Sequence, residues 1–168
     1  SHQSGLETDA IEVTSLRQCG ELFGYGSPIY NSMRIIRPRT SDGVGGIPTI
    51  VIAQTSPVGA AAKIIELNVS GSANKNVTHN VIIAGRDNVD ASSYAINVES
   101  GDTVAMITAK IAAAVNNVLG SPVTASDFGY SALLTSKWKG LTANEISVRV
   151  DVGDDAAGLT YTVEGVQN

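Results

Sequence analysis

Two histidines, one cysteine and a few acidic turns are the side chains of this 168-residue chain that could act on a substrate or hold a metal. Catalysis needs a group titrating near working pH, an activated nucleophile or a metal set. His2 lies in the N-terminal tail, and His79 sits in a strand context, where a solvent-facing structural histidine is expected. Cys19 has no basic neighbour beyond Arg17 and reads as a small buried hydrophobe rather than a thiolate nucleophile. Gly43-Val44-Gly45-Gly46 lacks the Lys-Ser/Thr of a phosphate-binding loop, and Ile47-Pro48 leads into a strand instead of a helix. Asp151, Asp154 and Asp155 crowd one turn, but without the spacing and terminal Glu of a calcium loop they read as a solvated turn.

Lys137-Trp138-Lys139 places an aromatic between two cations, as single-strand binders do, yet a lone triplet in an acidic chain reads as a strand end with Trp138 packed inward. Asn68-Val69-Ser70 and Asn76-Val77-Thr78 match the glycosylation sequon, with no other sign of secretion. No catalytic, cofactor-binding or metal-ligating set emerges, so the chain is read as a non-enzyme without a cofactor.

Composition sets the class. A domain near this size buries about 68–70% of its unfolded surface and needs no disulfide or metal to fold. Hydrophobic residues make up 43% of the chain, an ordinary globular share. With 11 Lys+Arg against 16 Asp+Glu the net charge is −5, the wrong sign for a nucleic-acid face. No apolar run approaches the roughly 20 residues that span a bilayer, so membrane insertion is not expected. A single cysteine allows no intrachain disulfide. The opening Ser1-His2-Gln3-Ser4-Gly5, without an initiator Met, reads as a tag remnant or flexible tail over residues 1–10, with 11–168 as one domain cut from a longer protein.

The elements follow from local patterns. Ile11 and Val13 mark a short strand. Ser15 with Gln18 suggests a capping box opening a helix over Leu16–Leu22 that stops at Gly24. Ser27-Pro28 opens a second helix, with Ile29, Met33 and Ile36 on one face and Pro38 ending it. Thr49–Ala53, Ile65–Val69, Val77–Ala84, Tyr94–Val98, Leu133–Trp138, Ile146–Val152 and Leu159–Val163 carry strand patterns. Gly71–Asn76 is expected to close a hairpin, and Gly153–Gly158 to be a turn. A helix over Thr103–Leu119 shows an apolar stripe of Val104, Ile107, Ile111, Val115 and Val118, with Asp102 as its expected cap and Gly120 and Pro122 beyond its end. The sum is an α+β fold, mainly an antiparallel sheet of six to seven strands with one long helix and two short helices.

Tyr94–Ile107, an alternating strand running through Gly101-Asp102-Thr103 into a helix, resembles the peptidoglycan-binding LysM module over about fourteen residues. LysM would next need a second helix and a closing strand. A broader resemblance links four segments in one order: Val13-Thr14-Ser15 with Leu22-Phe23-Gly24-Tyr25-Gly26-Ser27-Pro28; the Gly101-Asp102-Thr103 joint with Ile111-Ala112-Ala113-Ala114-Val115-Asn116; Pro122-Val123-Thr124-Ala125; and Leu134 to Ile146 through Gly140 and Asn144. This order resembles the N-terminal half of contractile-tail sheath proteins of the Mu-like phage or prophage type. Tyr25 stands where that family often has Arg, and Trp138 where it often has His, so no side-chain role carries over there.

The resemblance implies a structural subunit of the virion tail, assembled in the bacterial host cytoplasm. Such subunits stack in rings around a rigid tail tube and contract. It further implies that this piece is outward-facing and monomeric by itself, and that contacts with other sheath subunits and the tube run mainly through a C-terminal part outside this sequence. Phe23, Gly24, Gly26, Ser27, Gly101, Asp102, Thr103, Gly140 and Asn144 are then structural motif positions.

Overall fold

The computed structural model describes residues 9–37, 47–56, 58–85 and 91–166. Its helices and strands fall into two compact units, Ser1–Gly59 and Ala60–Asn168.

In the first unit, strand β1 (Ala10–Glu12) pairs antiparallel with β2 (Ile50–Ile52), setting Ile11 opposite Val51. Between them run helices α1 (Leu16–Phe23) and α2 (Pro28–Ile36). The capping signals operate as local chemistry dictates. Ser15 Oγ accepts from Gln18 N at 3.1 Å, while the Gln18 side chain reaches back to Thr14 N at 2.8 Å, one residue beyond the cap itself. Ser27 Oγ accepts from Tyr30 N at 3.1 Å, and Pro28 fills the first helical position. Val13, Cys19, Phe23, Tyr30 and Met33 form the buried centre.

Of the expected stripe on α2, Met33 is buried and Ile29 packs partly buried against the same cluster, but Ile36 is exposed. The helix turns Tyr30 inward in its place. Arg37, at the end of α2, donates to Thr49 Oγ1 at 3.2 Å, to Thr14 O at 3.3 Å and to Ile47 O at 2.6 Å. One guanidinium thereby ties the helix end to the segments flanking both strands. The Gly43–Gly46 cluster and His2 lie outside the described residues.

The second unit holds β3 (Ala62–Gly71), β4 (Val77–Ala84), β5 (Ser92–Val98), α3 (Val104–Asn116), β6 (Val123–Asp127), β7 (Ser131–Lys139), a 3-10 turn (Leu141–Glu145), β8 (Ser147–Asp151) and β9 (Leu159–Val166). They form a four-stranded sheet in the order β6-β7-β3-β9 and a three-stranded sheet in the order β5-β4-β8, antiparallel throughout. Residues of both sheets and of α3 share one core, including Leu67, Val81, Ile83, Ile96, Ile107, Ile111, Val115 and Leu134. Fully burying each such aliphatic side chain is worth about 1.5–3 kcal/mol.

The α+β class and antiparallel pairing agree with the sequence, but the counts do not. Among the described residues there are nine strands in three sheets instead of six or seven in one. The long helix spans Val104–Asn116, 13 residues, not Thr103–Leu119. Thr103 serves as its cap, and Val118, beyond its end, is exposed. The Gly71–Asn76 segment is not a hairpin loop either. β3 pairs with β7 and β9, while β4 pairs with β5 and β8, so the loop carries the chain from one sheet to the other. The 152–158 turn makes the reverse crossing from β8 to β9. The two crossings bind one another, Ser72 N donating to Gly158 O and Asn74 N to Ala157 O. Strand alternation specifies which face is buried but not which strand is the neighbour.

Candidate functional site

The joint between β5 and α3 gathers several hydrogen bonds on one turn. Gly101 turns at φ 93°, a region open mainly to glycine, and its N–H donates to Ala73 O at 2.8 Å. Asp102 is 2% exposed, yet it does not cap the helix as expected. Thr103 does, its Oγ1 accepting from Met106 N at 3.3 Å. Asp102 points back across the turn. Its Oδ2 accepts from Glu99 N at 2.8 Å and from Lys110 Nζ at 2.6 Å, and Lys110 also donates to Asn97 O at 3.0 Å.

Burial alone pushes the Asp102 carboxyl upward. The Lys110 hydrogen bond, the Glu99 N–H and the Lys110 charge outweigh it and hold the group below the usual carboxylate range. Farther along, Thr108 Oγ1, fully buried, donates to Asp127 Oδ1 at 2.7 Å, and that bond with the Gly129 N–H lowers Asp127 as well. Asn116 closes the other end of α3. It donates to Ala125 O at 2.8 Å and accepts from Ala125 N at 2.9 Å, standing in for a missing strand beside β6.

The upstream joint uses a similar opening and a different anchor. Gly24 and Gly26 turn at φ 90° and 81°, Ser27 caps α2, and Phe23 is buried before them. Tyr25 lies across α1 at Gly20, where a Cβ would come within 2.4 Å of the ring. Its ring also meets Tyr30 edge-on, with centroids 5.2 Å apart.

At the third joint, Gly140 turns at φ 95° and donates to Ala61 O at 3.0 Å. The backbone carbonyl of Asn144 accepts from Lys63 Nζ at 2.7 Å, as does that of Ile146 at 2.8 Å. Removal from water lowers the Lys63 ammonium. Ser136 repairs the register shift where β3 meets β7, accepting from Lys63 N at 2.9 Å and donating to Trp138 O at 2.6 Å.

Of the candidate chemical groups, His79 meets the acidic turn through the backbone carbonyl of Asp155. His79 is fully buried instead of facing solvent. It shares the inward phase of β4 with Val81 and Ile83, a period-two signal present in the sequence. Its Nε2 lies 3.0 Å from Asp155 O, an acceptor only, so that nitrogen carries a proton. The Tyr161 hydroxyl, 2.8 Å from Nδ1, can then donate to it. Burial raises the Tyr161 phenol to about 12.

Asp155 pairs with Lys75, Asp151 accepts from Gly153 N at 3.0 Å, and Asp154 joins neither. Among the described residues no group of three or more His, Cys, Asp or Glu side chains is placed to hold a metal ion. Cys19 is buried and its thiol is pushed up to about 11 by desolvation. Trp138 packs against the core, while Lys137 Nζ donates to Leu119 O at 2.8 Å. Sequence reasoning missed Lys110, Thr108, Lys63 and Ser136, whose partners are set by tertiary placement. What the arrangement does chemically is hold turns, helix ends and strand edges in place.

Among the described residues no helix is long and apolar enough to cross a membrane. After the Gly101-Asp102-Thr103 joint, α3 leads into β6 and a four-stranded sheet, so the second helix and closing strand of a LysM module do not follow. The chain is similar to the Mu-like prophage FluMu tail sheath protein of Haemophilus influenzae, 26% identical over 163 residues. That similarity takes in 95% of this chain and 31% of the relative, so the chain spans about a third of the relative's length. No protein-family model matches the chain.

Proposed function

We propose that this chain is part of a structural subunit of a contractile phage or prophage tail sheath, without catalytic activity. The observation that supports it best is the extent of the similarity. At 26% identity it runs through 95% of the chain, and so through all the joints described above rather than one local motif. The buried side chains of Asp102, Thr108, Ser136 and His79 bond backbone or side chains of neighbouring elements, which supports a structural role.

On this reading the chain contributes an outward-facing part of the subunit in the virion tail, assembled in the host cytoplasm. Its partners are other sheath subunits and the tail tube, reached mainly through the remainder of a sheath-length polypeptide. The 168-residue chain by itself is monomeric. Light scattering on the purified chain tests the last point, and a concentration-dependent oligomer would overturn it. Antibodies against the 60–166 segment, applied to assembled tubes, test the outward placement. Labelling along the outer wall supports it, and labelling only at broken ends or in the lumen rejects it.

A further inference from the structure

We draw no further inference here: the strongest candidate, the apolar groove of about 260 Å³ lined by Val150, Val152, Leu159, Tyr161 and Val163 from the edge strands β8 and β9 and the turn joining them, carries nothing because the structure does not show what covers it.

Discussion

The joints entering α2 and α3 begin alike and are anchored by opposite means. Each releases the chain through a glycine at positive φ and starts its helix under a hydroxyl cap, Ser27 in one and Thr103 in the other. Around Gly24 the anchor is aromatic, with Tyr25 laid over Gly20 and edge-on to Tyr30. Around Gly101 the anchor is a buried carboxylate, with Asp102 bound to Lys110 and to the Glu99 N–H. The caps are local and readable. The anchors are tertiary, and they give the two joints different sensitivities: the first to volume, the second to charge and pH.

The largest expected effect separates two positions that look equivalent on paper. Ile107 and Ile36 both belong to expected apolar stripes, but the first is fully buried and the second is exposed. Ile107→Ala should cost about 2–5 kcal/mol in denaturant unfolding, and Ile36→Ala should stay within about 0.5 kcal/mol of the parent. Equal losses would mean that α2 buries a face the structure leaves open.

Volume comes next. Gly20→Val puts side-chain atoms where the Tyr25 ring lies and should cost about 1–3 kcal/mol, with loss of the tyrosine near-UV dichroism. Pairing it with Tyr25→Ala should recover part of that loss. A fully additive pair would show that the ring does not rest on Gly20.

Charge follows. Asp102→Ala strips a partner from the Glu99 N–H and from Lys110, an expected loss of about 1–3 kcal/mol at pH 7. The pH dependence has a definite sign. The folded Asp102 carboxyl titrates below its unfolded value, near 3.9. Its contribution is therefore complete above that value and is lost as pH falls through the lower folded one. Thermal unfolding of Asp102→Asn should fall well short of the parent at pH 7 and approach it in strong acid. A gap that stays constant down to acid would remove the carboxylate from the account of this joint.

The smallest effect tests what the joints share. Ser27→Ala and Thr103→Ala should each cost about 1 kcal/mol, read as faster amide exchange in the first turn of the helix concerned. A large effect at one and none at the other would end the parallel.

These contrasts also mark how far the sequence could be read. Ser15, Ser27-Pro28 and the Ile107, Ile111, Val115 stripe were legible because capping and periodicity act over three or four residues. β6 has no strand pattern of its own in the sequence, beyond the Pro122–Ala125 segment of the resemblance, since Val123-Thr124-Ala125-Ser126-Asp127 buries only Val123 and Ala125. In the sequence the crossings at 72–76 and 152–158 look like local turns because strand partners are chosen by the whole core. His79 could have been placed from its phase with Val81 and Ile83. Its bonds to Tyr161 and Asp155 could not, since they join residues more than seventy positions apart. The sequence points to Asp102 as the cap of α3, whereas Thr103 caps it and Asp102 binds Glu99 N and Lys110. Either residue type can cap a helix, and only the position of Lys110 decides which of them turns back.

The most direct measurement is negative-stain electron microscopy of the complete gene product that contains this sequence, purified and taken through a range of salt. A sheath subunit should polymerise into tubes of stacked rings. Persistence as small dispersed particles under every condition would contradict the assignment.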